Sequence, residues 1–257
     1  MVVEVLKGLI PVFASLSLVV IAGIIHRFLK LGIQTELIVN TLRAFGQLLA
    51  IGYLLEYIFN IENIFLFLLV ILVMAVIGGN TAKSRAPLVP RVFIYSTLSI
   101  LCGTYFTLGL MVAVGVINTD PQYIIPLGGM LVGTSMNGIS LALERLYREL
   151  TSNRDRIELA LSFGAKSTAA SGGLARQSIK AGLIPTLNFM KVIGLVQLPG
   201  AMTGMILAGA SPIEAVKIQI IVVYMIISGV SISVPIAVAL ARNKFFNKRH
   251  QLLLNLE

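Results

Sequence analysis

Seven apolar runs, each close to the length that crosses a bilayer, dominate this sequence and leave little chain for anything else. A hydrocarbon core about 30 Å thick takes about 20 apolar residues at about 1.5 Å per residue. Windows of that kind fall at about 9–25, 37–59, 64–77, 92–117, 123–143, 186–208 and 213–241. The third is short but extends through Gly78 and Gly79. Charge is correspondingly scarce, at 12% of residues against roughly 25% in soluble proteins, and mean hydropathy is +0.93. An ordinary soluble enzyme and a disordered chain are excluded, and with a single cysteine, Cys102, so is an intrachain disulfide. Lipid offers the backbone no hydrogen bonds, so each span must satisfy its own. The expected fold is therefore all-α: a polytopic integral membrane protein with about seven transmembrane helices, forming one domain over 1–257.

The net charge of +9 is an orientation signal. Lysine and arginine resist translocation and collect in cytoplasmic loops. With loops assigned alternately to the two sides, all 20 basic residues except Lys7, Lys217 and Arg43 fall on one side. That arrangement puts the N-terminus outside and the C-terminus in the cytoplasm, and it supports an odd number of spans. The basic residues of the first run follow the apolar stretch rather than precede it, and no small-x-small site closes it, so it reads as a retained helix rather than a cleaved signal. Anionic lipid and a partner protein account for the basic face, and nucleic acid is not needed to explain it.

One connection stands apart. The outer loops, such as that around Asn60 to Asn63, are short, whereas the cytoplasmic stretch at about 144–185 is long. Its first part, from Glu144 to Leu150, continues the fifth span as a charged helix. Thr151, Ser152 and Asn153 then read as a turn with Asn153 as helix N-cap. Asp155 and Glu158 follow in the first turns of a short helix, where acids favour the positive end of the helix dipole, and Gly164 can end it. A small polar run, Ser167 to Gly173, and an amphipathic piece near Leu174 to Leu183 lead back to the membrane at Pro185. Such a short helix on the ends of two spans either transmits force from a soluble partner or is a solvated loop.

Polar residues within spans cost free energy unless they face protein or water. Glu36, Asn40, Arg43 and Gln47 share one face of the second run; the stripe is expected to turn into the bundle interior, as interhelix glue or as a pathway lining. In the fifth run Gly129, Gly133, Asn137, Ser140 and Glu144 share a face. There the two glycines suit a packing seam, within the chain or across a homodimer, or Asn137 with Met136 and Met130 lines a route to Glu144. In the sixth run Pro199-Gly200 breaks the helix beside Gln197 and Met202. Proline would free the Leu195 carbonyl, as at an ion site on a discontinuous helix, or it would kink a packing seam. His26 and His250 read as separate interfacial polar groups rather than metal ligands. No acid lies deep in a span, so the residues alone select no metal.

Two blocks carry a resemblance: SMNGISLALERL at 135–146, and the segments PTLNFM (185–190), GLV (194–196), LPGAMTG (198–204) and ILAGASP (206–212). They resemble the FetB-type permeases, long listed as an uncharacterised membrane family. Glu158-Leu159-Ala160 with Gly164 is similar to the first part of the loop by which bacterial ABC-transporter permeases dock on their ATPase. The Ile-x-Leu-Pro ending of that loop is not at its usual distance, Gly182-Leu183-Ile184-Pro185 coming later. The resemblance implies an iron-exporting permease in the cytoplasmic membrane, working as a homodimer with a separate cytoplasmic ABC ATPase; plant relatives are linked to aluminium tolerance. It also implies a coupling role for Asn153, Asp155, Glu158 and Gly164.

No phosphate-binding loop occurs in this chain. Gly204 and Gly209 have its glycine spacing, but Ala210 stands where lysine is required. ATP and magnesium are thus expected on the partner subunit and no cofactor on this chain, which is expected to transport rather than catalyse. An ABC permease for another solute, a membrane sensor, or an ATPase-independent secondary transporter are the alternatives.

Overall fold

The computed structural model describes residues 2–59, 61, 63–247 and 249–254, without the side chains of 2–10, 12 and 13. Lys7, Asn60 and Lys248, used above for loops and charge, therefore lie outside the described side chains. The described residues are helical throughout, apart from connections and two isolated bridges. Contacts group the chain into two units, Met1–Ile61 and Glu62–Glu257, and each is taken by itself.

The first unit is a helical pair, α1 (Val2–Phe28) and α2 (Gln34–Ile58). Gln34 Nε2 ties the corner by donating to the His26 carbonyl at 3.2 Å. Within this unit Arg43 and Gln47 lie exposed on α2, so α1 does not cover that stripe. Four-residue periodicity puts residues on one face but does not decide what meets that face.

The second unit holds α3 (Ile64–Arg85), α4 (Val92–Ala113), α5 (Pro121–Ser152), α6 (Arg154–Ser162), α7 (Ser167–Val192), α8 (Gly200–Leu207) and α9 (Pro212–Lys244). Asn63 caps α3 by accepting from Phe65 N at 2.9 Å. Ser211 caps α9, with Pro212 at its first position, where a missing N–H costs nothing. α9 is the axis of the unit and packs against α4, α5, α7 and α8. Its contact with α4 is close: a Cβ on Gly103 would fall on Ser233 Oγ and lie 2.7 Å from the Gly229 carbonyl. Ser96, Ser99, Thr104, Thr107 and Ser233 are fully buried around it.

Five helices (α2, α3, α4, α5 and α9) are long and apolar enough to cross a membrane, with a shorter apolar stretch at Ala14–Phe28. The chain is a multi-pass membrane protein, but two expectations change. The sixth run is not one kinked span. α7 ends at Val192, a seven-residue excursion follows, and α8 is a separate short helix that begins just after Pro199. The stretch at 167–185 is not a loop either, since α7 runs unbroken from Ser167 through Pro185. Its buried face is Ser171, Ala175, Ser178 and Gly182, spaced to line one side of a helix. Ser171 and Ser178 donate to the carbonyls four residues back, at 2.6 and 2.8 Å, so small polar residues that resemble a loop in sequence can face a packed interior.

Candidate functional site

Two cavities follow one another along the crevice between α7 and α9. The first, about 360 Å³, lies where α7 stops: Met190, Leu198, Pro199 and Met202 border it on one side, and Gln219, Val223 and Tyr224 of α9 on the other. It exists because the chain leaves the helix at Ile193 and returns at Gly200. Gly194 takes a positive φ of 79°, and its N–H donates to the Gln197 carbonyl at 2.9 Å. The excursion thus satisfies part of its backbone internally, as membrane burial demands. The second cavity, about 220 Å³, is lined by Thr134, Asn137, Gly138, Gly182, Phe189 and Ile226 among others. Phe189 and Met190 are adjacent in α7, and Val223 and Ile226 are one turn apart in α9, so the same two helices line both spaces. Beyond the second cavity α5 and α7 touch backbone to backbone: a Cβ on Gly182 would lie 2.5 Å from the Gly138 carbonyl and 2.8 Å from Ala142 Cβ.

Two of the expected pathway residues border these spaces, Met202 the first and Asn137 the second. Gln197 is exposed on the excursion and does not line the cavity beside it. Met136 is half-buried and turned toward Gly78 of α3. Arg43 and Gln47 belong to the first unit. Glu144 pairs with Arg148 at 2.6 Å and borders a different space with Arg85 and Tyr147, so it does not share a cavity with Asn137. The Gly129 and Gly133 pair is open within the chain: a Cβ on Gly129 would meet only Met74, at 3.7 Å, and one on Gly133 nothing within 4 Å. The close packing of α5 runs through Gly128 and Gly138 instead.

Gln219 was missed. It is 6% exposed and its Oε1 has no hydrogen-bond partner. Its signal in the sequence is a lone amide in the run from Ile218 to Tyr224.

The second functional feature is the corner at the far end of α5. Charged pairs Arg145–Glu149 (2.5 Å) and Arg148–Glu144 (2.6 Å) line the end of α5. Asn153 separates α5 from α6 but does not cap α6 with its side chain; its Nδ2 donates back to the Glu149 carbonyl at 2.9 Å and to Oε2 at 3.2 Å. α6 is anchored by Ile157, 1% exposed. Asp155 and Glu158 are exposed, Glu158 paired with Arg154 at 2.7 Å, and Leu159 and Phe163 are 58% and 83% exposed. Gly164 ends α6 with φ +85°, its N–H reaching the Leu161 carbonyl and that of Ala165 the Ala160 carbonyl, a glycine C-cap. His250 is not a lone interfacial group: its Nδ1 lies 3.0 Å from Ser167 Oγ and accepts from Ser167 N at 3.4 Å, capping the first turn of α7 from 83 residues away. Phe245, 1% exposed, packs near Tyr147 and holds that tail in place.

The sequence profile of an uncharacterised protein family, UPF0014, matches residues 9–246. The chain belongs to the UPF0014 family. It is 38% identical over 240 residues to the "Probable iron export permease protein FetB" of Escherichia coli, covering 93% of each chain. It is equally 38% identical to "Protein ALUMINUM SENSITIVE 3" of Arabidopsis thaliana, covering 96% of this chain and 90% of that one. The UPF0014 membrane protein YjkA of Bacillus subtilis is 35% identical, over 95% and 99% of the two chains. The family expected from the two motif blocks is thus the one found. No solved structure matches this UPF0014 chain.

Proposed function

We propose that this chain is the membrane-spanning subunit of an ATP-driven exporter of iron, acting as a homodimer with two copies of a separate cytoplasmic ABC ATPase that binds ATP and magnesium. The observation that carries the proposal is the α6 corner. A nine-residue helix fixed by one buried residue, Ile157, presents Asp155, Glu158, Leu159 and Phe163 outward. It is joined through Gly164 to a helix that runs without interruption to the first cavity. A partner that grips α6 therefore acts on the cavity wall. The name of the Escherichia coli relative supports iron and export, and the sidedness of lysine and arginine supports α6 on the cytoplasmic side of the inner membrane, with the N-terminus outside. Both units would then serve one permease.

The test is co-purification and metal efflux with a candidate ABC ATPase subunit produced together with this chain. Phe163→Asp and Glu158→Ala are expected to abolish capture of the ATPase and ATP-dependent efflux while the protein still inserts and remains monodisperse. Efflux and capture at the level of the unaltered chain in both variants would overturn the coupling role. Efflux driven by a proton or sodium gradient, with no ATPase present, would overturn the ABC reading altogether.

A further inference from the structure

The lining of the first cavity bears on the form in which iron could pass. Gln219 is more than nine-tenths buried and its Oε1 is unpartnered, an expensive condition for an amide away from water. The terminal torsion of glutamine is soft and roughly twofold, and rotation about it exchanges the oxygen with the amino group. Either end can therefore be offered to the cavity. Apart from the Tyr224 hydroxyl and the backbone of the excursion at Ile193 and Gly194, the rest of the wall is apolar or thioether, with Met190 and Met202 among its side chains. No lining side chain is a carboxylate, an imidazole, a thiolate or a cation. Among the described residues no group of three or more histidines, cysteines or acids is placed to hold a metal.

A bare multivalent cation entering here would exchange its water shell for a few neutral oxygens and soft sulfur, with no charged side chain to balance its charge. Iron prefers harder donors, and an uncompensated charge in such surroundings is penalised far beyond what neutral donors return. The volume of about 360 Å³ is in the range that holds small organic ligands, far more than one ion fills.

Resting on the iron-export reading, we propose that this cavity takes iron as an uncharged complex, already enclosed by organic ligands. A peripheral N–H or O–H of those ligands donates to Gln219 Oε1, and Met190 and Met202 pack against the apolar edge of the complex. The metal is then never stripped in the membrane, and the protein recognises the rim of the complex.

The test uses the full chain in lipid nanodiscs and three radio-iron probes. Ferric tris(acetohydroxamate) is uncharged with outward N–H groups, ferric tris(maltolate) is uncharged without them, and the third is ferrous ion alone. The hydroxamate complex is expected to bind saturably and to weaken about tenfold in Gln219→Met, the scale of one hydrogen bond in affinity. The maltolate complex should bind more weakly and ignore that change, and ferrous ion should displace neither. Met202→Trp, which fills the cavity from α8, should block both complexes, and circular dichroism with gel filtration checks that each variant is folded. Saturable, Gln219-dependent binding of ferrous ion would overturn the proposal and leave iron export standing. Hydroxamate binding unaffected by both substitutions would also overturn it. Iron efflux from cells producing the chain with its ATPase, measured in parallel, reports on the export reading separately: efflux without binding of either complex sinks only the cavity proposal, and absence of efflux and of binding sinks both.

Discussion

The α4–α9 contact and the α7–α9 crevice share one helix, yet they hold their polar groups in opposite ways. Along α4, Ser96, Ser99, Thr104 and Thr107 are fully buried, as is Ser233 opposite them, and their hydroxyls have no hydrogen-bond partner. Nothing can reach them, because Gly103 and Gly229 bring the two backbones together. Beside α7, Gln219 of α9 and Asn137 of α5 border open space. At the first cavity the room comes from a helix that stops at Val192 and a proline just before the next one. Polar residues in this protein thus border open space only where the backbone also leaves room; where glycine faces serine they line a seam.

The sharpest way to break this contrast is to enlarge one glycine on each side of it. Gly103→Val would drive a branched side chain into Ser233 and the Gly229 carbonyl, and a loss of about 3 kcal/mol or more is expected. It would be seen as a fall in thermal midpoint or the disappearance of monodisperse protein. Gly204→Val on α8, where a Cβ meets nothing within 4 Å, should stay within about 1 kcal/mol, as valine is somewhat more favourable than glycine in an open helix. Equal losses would end the distinction. A transport assay addresses it from the other direction: Asn137→Leu is expected to lower efflux about tenfold, about 1.4 kcal/mol in barrier terms, with thermal stability little changed. Thr104→Val, on the seam, should leave efflux in proteoliposomes unaltered.

Finer comparisons sharpen the boundary. On α5, Gly138→Ala meets the Gly182 carbonyl and Val234, each at 3.0 Å, and should cost about 1 kcal/mol in chemical unfolding. Gly133→Ala, unobstructed, should be neutral or slightly stabilising, since alanine is favoured over glycine in a helix by up to about 1 kcal/mol. A large loss at Gly133 would instead point to a second copy packed on that face. The smallest effect is expected for Ser99→Ala, within about 0.5 kcal/mol, because a hydroxyl without a partner returns little when it is removed.

Five of the spans, those of α2, α3, α4, α5 and α9, were legible because lipid imposes a length and a composition that few other environments require, and the ends of α6 were legible in Asn153 and Gly164 for the same kind of local reason. What escaped was set by partners distant in sequence. The buried face of α7 is built from Ser171, Ala175, Ser178 and Gly182, residues whose hydroxyls are satisfied on their own helix and so suit either water or a seam. The stripe with Arg43 and Gln47 has the right period, but period says nothing about what covers a face. His250 meets Ser167 only through the fold, and Gln219 is conspicuous only once the cavity beside it is seen. Met202 and Asn137, which border the two cavities, stand out in the sequence because a helix break and an intramembrane amide are unusual in themselves.

The backbone contact between Gly138 and Gly182 makes α7 a lever with its fulcrum near the middle. From Ser167 to Gly182 the helix extends about 22 Å, and from Gly182 to Val192 about 15 Å, at about 1.5 Å per residue. A sideways displacement applied at the α6 corner would reappear, reversed, at the cavity at about two thirds of its size. Pro185, one turn beyond the fulcrum, is where any compliance in the arm would be concentrated.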